Sequence, residues 1–101
     1  MDKKQQLSNL IGLAKRAGKV ISGEELVIKA IQNGKARLVI LASDAATTQN
    51  NRLTHTSTYT EKPVSQLLTE RELSHAIGQN RKVIALVDDG FAKKMESLMK
   101  N

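Results

Sequence analysis

Two short stretches of this chain set polar and charged side chains beside a glycine. One runs from Lys19 through Ser22, Gly23, Glu24 and Glu25 to Lys29; the other is Gly78, Gln79, Asn80, Arg81 and Lys82. The first reads as the start of a helix. Backbone amides there attract anions and can meet nucleic-acid backbone or base edges, and Gly23 would allow close approach. Lys29 lies a turn or more inside, within reach of a phosphate. Glu24 and Glu25 repel phosphate, yet a carboxylate accepts hydrogen bonds from the amino and imino groups of guanine. A plainer alternative stays open, since two acids in a first turn favour the helix dipole with no ligand at all. In the second stretch, Gln79, Asn80, Arg81 and Lys82 make a polar, cationic contact loop or an ordinary exposed connection.

Other chemistries find less support. His55 and His75 sit in different polar segments with no acid at a motif spacing, and read as exposed or half-buried helix histidines. There is no HExxH, GxSxG or carboxylate-rich metal loop. Asp88-Asp89-Gly90 holds oxygen ligands suited to Mg²⁺, but a strand-to-helix turn with a capping aspartate explains it without a metal. Gly12 to Gly18-Lys19 has one residue too many for a phosphate loop, with Val20 where Ser or Thr is needed. Gly34-Lys35 leads into a strand and opens no helix. The absence of cysteine removes disulfides, thiolate metal sites and cysteine nucleophiles together. The expectation is a binding protein, non-enzymatic, with no cofactor and no metal.

The elements that position these residues follow from periodicity. Leu7, Leu10, Ile11, Ala14 and Ala17 fall at helical spacing and predict a first helix that stops near Gly18. Lys15, Arg16 and Lys19 cluster at that stop, where cations suit the dipole. Residues 19–21 are a small strand. Ser22 precedes Glu25 by the capping-box spacing, and Leu26, Val27, Ala30 and Ile31 give a second helix its apolar face until Asn33-Gly34 end it. Residues 36–42 form a near-continuous apolar run, which suits a strand covered on both sides. Ser43 or Asp44 caps a third helix, and Pro63-Val64 is a brief strand. Thr69 and Glu72 repeat the capping-box spacing and open a helix through Leu73, Ala76 and Ile77 to Gly78. Residues 82–87 are a second buried strand. Asp88-Asp89-Gly90 then turns the chain into a last helix bearing Phe91, Met95, Leu98 and Met99. Helices alternating with strands around a central sheet predict an α/β protein in three layers, as one domain over residues 1–101.

The charge points to the partner. The chain carries +6, with eight basic against four acidic side chains in its first fifty residues and eight against six in the rest. A pI near 9.8 indicates an anionic partner, nucleic acid first. Tyr59 and Phe91 are the only aromatic residues, so bases are not held on a stacking platform. Recognition falls to amides, phosphate contacts and groove edges. The N-terminus is too polar for a signal peptide, and no apolar run approaches the ~20 residues that span a bilayer. No membrane is expected, and the cytoplasm is the expected compartment.

Residues 10–45, the spacing to Pro63-Val64, and "RELSHAIGQNRKVIALVDDGFAK" from Arg71 to Lys93 together carry a resemblance. The chain resembles the kink-turn RNA-binding ribosomal-protein family, the L-seven-Ae/L-thirty-e superfamily, and most of all its small YlxQ-type bacterial branch. This implies a three-layer α/β/α sandwich with a four-stranded mixed sheet. It also implies binding of an RNA kink-turn, or a similar internal loop with tandem sheared G·A pairs. The start of the second helix would enter the widened groove, and Gly78 to Lys82 would close over the extruded nucleotide. Gly23 matches the motif glycine and Lys29 the backbone-contacting lysine. Two positions depart from the pattern, which has Asn or Lys at Glu25 and Glu or Gln at Leu26. A good polar contact to a base edge is worth about 1–3 kcal/mol, so these departures bear on specificity. The implied partner is ribosomal or other structured RNA, with ribosomal proteins beside it, bound by a monomer. A protein-docking adaptor in the translation or transcription machinery is the alternative, motivated by the acids Glu24 and Glu25.

Overall fold

A computed structural model of the chain describes residues 2–44 and 64–99. The elements are α1 (Lys3–Arg16), β1 (Val20–Ser22), α2 (Glu24–Gln32), β2 (Leu38–Leu41), β3 (Val64–Ser65), α3 (Glu70–Ile77), β4 (Val83–Leu86) and α4 (Asp89–Met99). The helix expected after Asp44, together with His55, Tyr59 and Pro63, lies outside the described residues.

The strands lie in the order β1-β4-β2-β3. β1 and β2 both run antiparallel to β4, and β3 adds to β2 in parallel. The body of the sheet is therefore the three antiparallel strands. The fourth contributes only Val64 and Ser65, opposite Val39 and Ile40. Every residue of β2 and β4 is buried, as their unbroken apolar runs require of strands covered on both faces.

Alternation along the strands divides the core in two. Leu38, Ile40, Ile84 and Leu86 face α1, α3 and α4, where Leu7, Ile11, Leu73, Ile77 and Met95 meet them. Val39, Leu41, Val83 and Ala85 face α2, through Val27, Ile28, Ala30 and Ile31. Helices thus cover both faces of one sheet. Truncating any of the fully buried Leu or Ile side chains to Ala is a change that costs about 2–5 kcal/mol.

Local chemistry departs from the sequence reading at α2. Ser22 is not its cap: β1 runs on through Ser22, which pairs with Ile84, and Gly23 takes the N-cap position without a side-chain cap. Glu25 therefore falls one position short of its capping-box place. Leu26 is also off the apolar face, at 59% exposed. At 100° per residue the buried arc of α2 is set by Val27, Ile28, Ala30 and Ile31, and Leu26 lies outside it. Ala17 likewise is an exposed C-cap of α1.

At α3 the same sequence signal holds. Thr69 Oγ1 accepts from Glu72 N–H at 3.2 Å, and Glu72 Oε1 accepts from Thr69 N–H at 2.9 Å. Asp44, expected to open its own helix, contributes here as well, its Oδ1 accepting from Glu70 N–H at 2.8 Å. Gly78 ends α3 in the left-handed region, φ 76°, its N–H donating to Ser74 O at 2.9 Å.

Candidate nucleic-acid interface

Because β1 and β4 are antiparallel, the end of β1 lies beside the start of β4. That brings Ser22-Gly23 against Arg81-Lys82-Val83, 59 residues away in the chain at the Arg81–Ser22 contact. Gly23 N–H donates to Val83 O at 3.1 Å. Arg81 Nε donates to Ser22 Oγ at 3.2 Å, and Arg81 Nη1 to Asn80 O at 2.7 Å. Two of the five guanidinium donors are so engaged, which fixes the plane of the group.

The loop itself is fastened from beneath by a residue that the sequence did not advertise. Ser74 Oγ, on α3, accepts from Arg81 N–H at 3.0 Å and donates to Arg81 O at 3.1 Å. A serine inside a helical pattern gives no periodicity signal, and only the fold places it under the loop. Lys82 is tied through its backbone, its carbonyl accepting from Ala42 N–H at 2.7 Å, while Gln79, Asn80 and Lys82 stay exposed.

On the α2 side, Gly23 adopts φ 97° and ψ 142°. A Cβ built there would meet no heavy atom within 4 Å. Backbone conformation, and not crowding, demands glycine at this junction. Glu24 and Glu25 occupy the first turn, where carboxylates complement the dipole. Exposed Glu25 and Lys29 are four residues apart with the acid first, the favourable order for a helix pair, and exposed Leu26 sits beside them. The outer face of α2 therefore presents an acid, an apolar side chain and a cation.

Lys19 does not join this cluster. It lies at the opposite end of β1, its carbonyl accepting from Val87 N–H at 3.0 Å and its N–H donating to Ala14 O at 2.9 Å. Three strand residues, Val20 to Ser22, separate it from Gly23, a distance of about 13 Å. Its neighbours are Lys15 and Arg16 at the end of α1. Of the other candidates, Ser22 and Gly23 meet Arg81 and Val83 directly, Glu24, Glu25 and Lys29 follow along α2, and Gln79, Asn80 and Lys82 lie on the α3–β4 loop. Asp88 and Asp89 serve other ends: Asp88 Oδ2 accepts from Phe91 N–H at 3.0 Å, and Asp89 pairs with Arg37 at 3.1 Å.

Known proteins share this arrangement of chain. The protein named RNA-binding protein YlxQ in Enterococcus faecium is 47% identical over 96 residues, covering 95% of this chain and 93% of its own. The protein of that name in Bacillus subtilis (strain 168) is 43% identical over 91 residues, 89% of this chain and 91% of its own. A solved structure of a protein with unknown function from Bacillus halodurans C superposes with a TM-score of 0.90 at 38% identity, over 94% of this chain and 97% of that one. The Giardia lamblia 15.5kD RNA binding protein shares the fold, with a TM-score of 0.79 at 21% identity over 95% and 89% of the two chains. A family model described as Ribosomal protein L7Ae/L30e/S12e/Gadd45 family matches residues 5–96. As the sequence resemblance implied, this chain belongs to the ribosomal protein L7Ae/L30e/S12e/Gadd45 family.

Proposed function

We propose that residues 1–101 act as one non-enzymatic, monomeric RNA-binding domain in the cytoplasm, associated with ribosomal or other structured RNA. Its target is a kink-turn or a similar internal loop, met by the start of α2 and by residues 78–82. The observation that carries this reading is the joining of Ser22-Gly23 to Arg81 and Val83. It joins the start of α2 to the loop before β4, two stretches distant in the chain. The net charge of +6 supports a polyanion, and two relatives bear the name RNA-binding protein.

Affinity for a kink-turn duplex and for the same duplex lacking the G·A pairs, followed across salt, tests it. A preference for the intact kink-turn is expected. Equal affinities overturn motif recognition, and no binding to either near physiological salt overturns RNA binding. Glu25→Asn adds a donor where the chain has only acceptors, and is expected to raise discrimination between the two duplexes by up to the ~1–3 kcal/mol of one base-edge contact. Unchanged discrimination counts against Glu25 facing a base.

One observation favours a second reading, protein docking. Leu26 stands 59% exposed between acid and cation on the outer face of α2. Pull-down after nuclease treatment separates the two, because a partner retained without RNA and lost in Leu26→Ser supports docking.

A further inference from the structure

A second polar surface lies outside the two loops, between α1 and α3. Two adjoining depressions of ≈ 420 Å³ each share Gln5, Ser8 and His75. One reaches on to Lys4 and Arg71, the other to Leu13 and Arg16. Two carboxylates, Asp2 and Glu72, also face the first depression, and both are engaged. Asp2 Oδ1 accepts from Gln5 N–H at 2.8 Å as the cap of α1. Glu72 belongs to the capping box of α3 and pairs with Lys4 at 3.3 Å. Arg16, Arg71 and His75 are exposed and make no ion pair among the described residues. The groove thus combines the unpaired guanidiniums of Arg16 and Arg71 with amide and hydroxyl donors, and carries no Phe, Tyr or Trp side chain. That lining suits a ridge of phosphates better than an unstacked base or an apolar peptide.

The fold connects this groove to the loops. Ser74, next to His75, holds both backbone groups of Arg81, and α3 runs directly into Gly78. From Arg71 to Gly78 the helix rises about 10 Å. Phosphates along one strand of an RNA duplex recur roughly every 3 Å of axis, so an RNA arm leaving the loops has to travel only about three to four phosphates to reach Arg71.

We propose that the α1–α3 groove binds the phosphate backbone of the RNA arm flanking the motif held by the two loops, with Arg16 and Arg71 as phosphate contacts and Ser8 and His75 as further donors. This rests on the RNA-binding reading above. The test uses the full chain and two RNAs with the same internal loop, one with short arms and one with an arm a full helical turn longer. The wild type binds the long-arm RNA more tightly. The double variant Arg16→Gln/Arg71→Gln, its fold checked by circular dichroism, binds the long-arm RNA roughly tenfold more weakly. Its salt slope there is shallower by about 1.5–2, and the short-arm RNA is unaffected. Arg16→Lys/Arg71→Lys, which keeps the charge, retains most of the long-arm affinity. Equal wild-type affinity for both RNAs, or an unchanged long-arm affinity in the double variant, overturns the groove and leaves RNA binding standing. No wild-type binding to either RNA overturns both readings. RNA affinities unchanged while a nuclease-resistant protein complex is lost assign the groove to an acidic protein, and overturn the proposal.

Discussion

Gly23 joins β1 to α2 with φ 97° and with open space where a side chain would stand. The cost of replacing it is therefore conformational, and it falls on the free protein. Gly23→Ala should destabilise by about 1–3 kcal/mol, the range for a residue held in a sparsely populated backbone region, as read from the urea midpoint at unchanged m-value. Any loss of RNA affinity in that variant has to exceed the loss expected from its unfolded fraction before Gly23 is credited with a contact. The sequence marked Gly23 as special but suggested close approach; φ is a property of the fold and leaves no trace in spacing. Leu26 teaches the same lesson. Its position next to Val27 looked apolar-faced, and only the arc chosen by Ile28 and Ala30 against the sheet put it outside.

Among the elements, α3 and α2 show when a capping signal can be read. Both are preceded by a hydroxyl residue three places before a glutamate. At α3, Thr69 lies outside any strand and its hydroxyl is available, so the reciprocal box forms. At α2, the ladder between β1 and β4 takes the backbone of Ser22 and Arg81 takes its hydroxyl. Thr69→Ala should cost about 0.5–2 kcal/mol, measured by thermal or urea unfolding. Glu72 adds a pH signature. The Thr69 backbone N–H chiefly holds its carboxyl below the usual value of 4.5; desolvation opposes it, and Lys4 and the Thr69 hydroxyl add to the lowering. A lowered carboxylate stabilises the fold above its unfolded pKa and loses that contribution as pH falls through the folded one. The stability gap between wild type and Glu72→Gln should therefore be constant from neutral pH down to about 5 and close progressively below 4.5. The strands needed no such arbitration. Residues 38–41 and 83–86 were legible because burial on both faces writes an unbroken apolar run.

For the molecule as a whole, the excess of positive charge is distributed over surfaces that the sheet sets in fixed relation. Arg81 and Lys82 lie at the α3–β4 loop, Lys29 in the last turn of α2, and Arg16 and Arg71 along the α1–α3 groove. If these five meet phosphates, the logarithm of affinity should fall with the logarithm of salt at a slope of about −4. Lys29→Ala and Arg81→Ala should each reduce that slope by about 1 for every RNA tested, by filter binding or anisotropy titration. The candidate interface was only half legible in advance. Its residues were visible as polar stretches, but their meeting depends on the antiparallel register of β1 with β4, a contact between strands more than sixty residues apart. The same register excluded Lys19, which sequence proximity had grouped with Ser22.

The bond from Gly23 N–H to Val83 O has one more consequence. β1 is a three-residue edge strand, and this amide sits at its seam with the central strand β4. It can exchange with solvent deuterium only when that seam opens. The protection of the Gly23 amide thus gauges the free energy needed to part the two loops.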